Sequence, residues 1–249
     1  MKFLRSFQKS LPLFIFGFLL HLLFKPAFSH AADWDEIIAY LQDASTLILE
    51  INSNVDGTYN FLPSPSVNKS FASNENGALR ILSVQNNNAG FLFNSDIYIY
   101  FKDIAFSGFT NAVSMKNNGV ISFEGFSQFE ANALGLSLDN SSANFINSTV
   151  TFNSNSSPVG ANGGAIYAAN SSFLNFLYSS ATFSNNTASQ NGGAVYLEKS
   201  TLAFSYSNAN FFKNSANVNG GAISIFQSTL SILNSNLAFS TNSAAALGG

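Results

Sequence analysis

From about Leu79 onward, apolar and polar residues alternate at period two, and the alternation is broken every few positions by Asn, Ser or Gly. Ile166 and Ala168 share one parity and Tyr167 takes the other, and the arrangement returns with Val195 and Leu197 against Tyr196, and with Ile223 and Ile225 against Ser224. Such alternation predicts short half-buried β-strands whose first set faces a core. Residues 33–60 read differently. There "DWDEIIAYLQDASTLILEI" places Trp34, Ile37, Ile38 and Leu41 at helical spacing and then offers "TLILEI" as a strand, which together suit a cap over the open end of a stacked sheet. The stretch 62–77, "LPSPSVNKSFASNENG", predicts a loop from its Pro, Ser, Asn and Gly content.

The strand pattern is repetitive. Glycine pairs open "GGA[I/V]" at Gly163 and Gly164, Gly192 and Gly193, and Gly220 and Gly221, and a further pair stands at 248–249, giving spacings of 29, 28 and 28 residues. A second motif, Phe-x-x-Asn, begins at Phe129, Phe152, Phe183, Phe211 and Phe239, spaced by 23, 31, 28 and 28, and "FSGF" at 106 extends the series backward by 23. In the last three repeats the Phe precedes the glycine pair by 9 residues each time. Two motifs in phase at such a period mark a solenoid. The expected fold is all-β: a right-handed parallel β-helix of about 23–31 residues per coil, each coil made of three short strands, behind an N-terminal cap.

In that architecture equivalent residues of successive coils stack about 4.8 Å apart. Phe152, Phe183, Phe211 and Phe239 are therefore expected to form an interior aromatic column. Asn155, Asn186, Asn214 and Asn242 are expected to form an amide ladder, each donating to the adjacent coil. Ala181, Ala209 and Leu237, and Phe176, Phe204 and Ile232, supply two further apolar columns in the same phase. The glycine pairs mark a corner where the backbone takes φ values that a Cβ would resist, and Ile166, Val195 and Ile223 begin the inward strand after it.

Composition changes the picture in one respect. The chain is 46% hydrophobic and 14% aromatic, ample for a core, but only 9% charged against roughly 25% in ordinary globular proteins. Solubility must come from Asn and Ser. Cysteine is absent, which excludes disulfides, thiolate nucleophiles and Cys-based zinc sites.

Lys2, Arg5 and Lys9 precede the apolar run "LPLFIFGFLLHLLF" at 11–24, and Ser29 and Ala31 stand at −3 and −1 of a cut after Ala31. The run is shorter than the roughly 20 residues of a membrane span, so the segment 1–31 predicts a secretory signal peptide. Residues 32–78 then form the cap and loop, and 79–249 the repeat region. After the cut 6 basic residues face 13 acidic ones, a net charge of −7, which argues against nucleic-acid binding. Both histidines, His21 and His30, leave with the signal. Mechanisms of the Ser-His or Cys-His type and His-ligated metals are excluded with them. From Leu138 onward the charged residues are Asp139, Glu198, Lys199 and Lys213, of which Glu198 and Lys199 suit a solvated bend at a strand exit. No catalytic, cofactor or metal residues are expected, and the chain is read as a non-enzyme.

Repeated "GGA[I/V]" with "FxxN" behind a signal peptide, in an Asn- and Ser-rich chain, resembles the chlamydial polymorphic outer membrane protein family, strongly over residues 100–249 and weakly before. The resemblance implies an autotransporter: an exported β-helical passenger displayed at the cell surface, with adhesion to host cells as its activity, ahead of a C-terminal membrane barrel. This sequence shows no barrel strands and stops within a motif, so a truncated or split member without self-translocation is the expectation. Three functions follow. The first is an adhesin-like display module at the outer membrane, in the cell wall or secreted, peripheral to the membrane at most, with host-cell surface proteins or other family members joined by coil-edge pairing as partners. The second is a truncated paralogue without activity. The third, a β-helical polysaccharide-active enzyme, is disfavoured by the scarcity of Asp, Glu, Arg and His.

Overall fold

The computed structural model describes residues 28–31, 33–45, 48–51, 53–59, 62–73, 79–85 and 88–248. The basic and apolar parts of the expected signal segment lie outside these residues. Its last four, Phe28–Ala31, form a strand parallel to Ile48–Ile51.

The chain winds as a parallel β-helix, in which every strand pair is parallel. One wall is the six-stranded sheet Ala89–Asn94, Asn111–Lys116, Leu136–Asp139, Ile166–Ala169, Val195–Glu198 and Ile223–Phe226. The second and third walls belong to one 13-stranded sheet. They are joined within long bent strands such as Ser142–Asn153 and separate into Phe173–Leu177 and Ser180–Ser184 in the coil above. A short fourth wall, Thr187–Ala188, Ser215–Ala216 and Ser243–Ala244, closes the last coils, where three strands per coil were expected. These residues lie between the Phe-x-x-Asn corner and the glycine corner, a span too brief to show alternation.

The walls form because inward parity is apolar without exception in the later coils. Within Ser142–Asn153, Ala143, Phe145, Val150 and Phe152 are buried and the parity shifts at Ile146–Ser148, where the strand bends round a corner. Register confirms the expected vertical alignment: Phe152 pairs with Phe183, Phe183 with Phe211, and Phe211 with Phe239. Hydrophobic burial along these columns offsets the conformational entropy of ordering each coil.

At the N-terminal end, helix α1 spans Trp34–Gln42. Asp33 caps it, its carboxylate accepting from the Glu36 amide at 3.0 Å, and Asp35 and Glu36 place negative charge in the first turn. Trp34, Ile37, Tyr40 and Leu41 form the buried face, while Ile38 is only partly covered. Trp34 meets the rings of Tyr59 at 4.7 Å, Phe109 at 6.0 Å and Phe91 at 6.4 Å, so the helix rests on the first aromatic layer of the core.

The expected loop at 62–77 contains a strand, Lys69–Ser73, paired with Ile48–Ile51 and with the start of Tyr98–Ser107. Its polar composition hides one inward anchor, Phe71, stacked 4.9 Å from Phe101. Stacking therefore extends back before residue 79. Lys69 is buried beside it, its ammonium donating to the Asp43 carbonyl and lying 4.1 Å from the centre of the Tyr40 ring. Burial holds the lysine pKa below its ordinary value, against the pull of the nearby Asp43 charge.

Candidate functional site: corner ladders and outward walls

From Asn132 onward, three corners of each coil follow one rule. A residue with positive φ swings the chain outward, and the polar residue after it points in. Lys199, Tyr206 and Lys213 have φ of 48°, 50° and 53° and are exposed, while the residues after them, Ser200, Ser207 and Asn214, are buried. Left-handed backbone is uncommon for such side chains. Here it is held by the polar residue that follows.

The expected asparagine ladder is present and extends one coil further back. Asn132 Nδ2 donates to Asn155 Oδ1 at 3.0 Å, Asn155 to Asn186 at 2.9 Å, Asn186 to Asn214 at 2.9 Å and Asn214 to Asn242 at 3.0 Å. From Asn155 onward each Oδ1 also accepts the backbone amide of the preceding Asn, and each Nδ2 reaches back to a Phe carbonyl, as Asn186 does to Phe152 at 3.0 Å. Asn155, Asn186 and Asn214 are fully buried and satisfied. Beside them Phe152, Phe183 and Phe211 are fully buried, with ring centres 4.9 Å and 4.6 Å apart and planes within 1°. Phe239 continues the column at 4.8 Å but is half exposed, because no described coil lies beyond it.

The glycine pairs depart from expectation in one way. Only the first of each pair has positive φ: Gly163 at +71°, Gly192 at +69° and Gly220 at +65°. The second glycine is needed for close approach between coils. A Cβ on Gly193 would lie 2.0 Å from the Gly221 carbonyl oxygen, and one on Gly164 would lie 2.1 Å from that of Gly193. Ile166, Val195 and Ile223 follow in register on the first wall. Ile166 and Val195 are fully buried and Ile223 is partly so.

Three more ladders were not foreseen. Asn191 Nδ2 donates to Asn162 Oδ1 at 2.9 Å and Asn219 Nδ2 to Asn191 Oδ1 at 3.0 Å, so this ladder runs opposite in direction to the first. Serine hydroxyls serve the other two corners: Ser172 and Ser200 donate backbone amides to the Ser200 and Ser228 oxygens, and Ser179 and Ser207 to those of Ser207 and Ser235. The signal was available as Asn before each glycine pair and Ser at the 28-residue period.

The outward parity carries no comparable regularity. Tyr167 and Tyr196 stack at 5.7 Å on the first wall, and Tyr178 and Tyr206 at 5.2 Å on the corner between the second and third walls. Desolvation, and then the charge of Glu198, raise the pKa of Tyr167 and of Tyr196. Lys199 is exposed next to Glu198, in keeping with a solvated bend. Among the described residues no cluster of three or more His, Cys, Asp or Glu side chains forms, and no helix is long and apolar enough to cross a membrane.

The geometry defines a parallel β-helical repeat solenoid whose longest repeated columns face inward. Residues 149–169 and 180–198 match the Chlamydia polymorphic membrane protein (Chlamydia_PMP) repeat, so the chain carries the repeat of that family, as its motifs indicated. The matched segments run from the third-wall strand through the Phe-x-x-Asn corner and glycine pair to the first wall, two successive turns of one pattern. Comparison with curated proteins and with solved structures finds no match.

Proposed function

We propose that this chain is an exported, surface-displayed passenger of the polymorphic membrane protein type, working through adhesin-like contact and not through catalysis. One observation carries the reading: inward columns stay apolar from coil to coil while an outward column passes freely between polar and apolar residues. Phe152, Phe183, Phe211 and Phe239 repeat without variation, whereas the neighbouring outward column runs Thr151, Thr182, Asn210, Ala238. A wall whose stability is independent of its outer residues suits recognition. The N-terminal signal directs export to the outer face of the outer membrane, the cell wall or the medium, and host-cell surface proteins are the partners. Other family members form a second partner class through coil-edge pairing.

Beads coated with the full chain should adhere to host cells, and antibody should label the chain on intact bacteria. Adhesion no greater than that of beads coated with an unrelated β-helix, with labelling only after lysis, removes the reading. Sedimentation should show concentration-dependent association, and a monomer at every concentration removes the edge-pairing component.

A further inference from the structure

The coil that carries the first matched repeat is longer than its successors. Part of the extra length lies at the corner before the second wall, where Asn170 and Ser171 both have positive φ, at 55° and 65°. The next two coils make the same corner with a single such residue each, Lys199 and Gln227. The additional residue places Ser171 at the start of the second wall. Directly beside it the outward column runs Ser142, Phe173, Thr201, Thr229, so one aromatic ring stands in a file of hydroxyl residues, 38% exposed.

Ser171 and this file border a shallow, open groove of about 390 Å³, lined by Ser171, Phe173, Lys199, Thr201, Gln227 and Thr229 among others. The side chains of Ser171, Thr201, Gln227 and Thr229 make no hydrogen bond among the described residues, whereas the serines behind them are occupied, Ser172 with the Ala169 carbonyl and Ser200 with that of Glu198. Lys199 is exposed and has no carboxylate partner among the described residues. An extended peptide cannot add to this wall by backbone pairing, because Thr201–Ser205 is already paired on both sides, with Phe173–Leu177 and with Thr229–Leu233. Side chains alone must read the ligand.

We propose that this groove binds a carboxylate-bearing saccharide. The C–H face of a sugar ring packs on Phe173, the hydroxyls exchange hydrogen bonds with Thr201, Thr229 and Gln227, and the carboxylate pairs with Lys199. The two coil steps from Phe173 to Thr229, about 4.8 Å each, match the length of a disaccharide. The proposal rests on the adhesin-like reading and gives it a ligand class.

The test titrates the full chain with 3′-sialyllactose, with a glucuronate-containing hyaluronan tetrasaccharide and with lactose, followed by saturation-transfer NMR. At least one acidic sugar should bind about tenfold more tightly than lactose, and which one binds identifies the source of the carboxylate. Phe173→Thr, which installs the residue of the next coil, should weaken binding about tenfold, and Lys199→Gln should erase the preference for acid over lactose. Unchanged melting of both variants keeps the test independent of folding. No binding of either acidic sugar, or binding that both variants retain, overturns the proposal. Beads that adhere to cells while no saccharide binds would sink the groove and leave the adhesin reading standing. Saccharide binding without bead adhesion would do the reverse.

Discussion

Phe106 and Phe129 stack at 5.0 Å with their planes 20° apart, whereas Phe152 and Phe183 lie within 1° of parallel. The second-wall column changes less evenly, from 19° between Phe71 and Phe101 and 15° between Phe101 and Phe123 to 6° between Phe145 and Phe176 and 11° between Phe176 and Phe204. Coil length does not explain the difference. Phe129 and Phe152 are 23 residues apart and tilt by 6°, while Phe152 and Phe183 are 31 apart and tilt by 1°. What changes is the corner. The asparagine ladder begins at Asn132, where the preceding coil has Phe109, and the serine ladders begin at Ser141 and Ser148. Apolar burial stacks the rings in both regions, but hydrogen bonds at the corners fix their rotation.

The largest test of this comparison is the closest backbone approach. Gly193→Val should abolish the ordered later coils, a cost above about 3 kcal/mol, seen as loss of cooperative thermal melting. Gly160→Ala, in an open turn where nothing lies within 4 Å, should cost far less despite a φ of +82°. Next, Phe183→Ala leaves a void between two parallel rings and should destabilise by about 3–5 kcal/mol in denaturant titration. Asn214→Ala removes the acceptor of two Asn186 donors and should cost about 1–3 kcal/mol. An unchanged melting temperature for that variant would mean that the corners do not set the registration.

The smallest effect under ordinary buffers concerns alkaline pH. Burial raises the pKa of Tyr40, Tyr59, Tyr98 and Tyr100 in the earlier region and of Tyr167 and Tyr196 in the later one, four phenols against two. A phenol that titrates higher when folded stabilises fully below its unfolded value of about 10 and loses that contribution as pH rises. Lys69, held low by burial, works in the opposite direction but is one group against four. Hydrogen exchange above about pH 10 should therefore show the coils near α1 opening before those beyond Asn155. Simultaneous opening would erase the distinction.

The fold and the first ladder were legible because their residues repeat in phase. Phe152 and Asn155 recur with neighbours that only a stack would require. The serine ladders escaped because Ser is common everywhere in this chain, so Ser179 and Ser207 do not stand out. The left-handed corners escaped for a different reason: Tyr206 and Lys213 have no preference for that conformation and are held in it by the ladder that follows. Phe71 was hidden by polar neighbours, and the groove around Phe173 depends on one extra residue whose effect appears only when coils are compared in three dimensions.

The ladder from Asn155 to Asn242 gives every later coil the same upper and lower contacts. Any of these coils can therefore follow any other. Unequal crossing-over that deletes or duplicates one 28-residue unit of the gene rejoins matched faces, so the encoded molecule changes length without needing a compensating mutation inside. Reach and outer pattern are thereby free to drift in inheritance while the winding itself is conserved by its own joints.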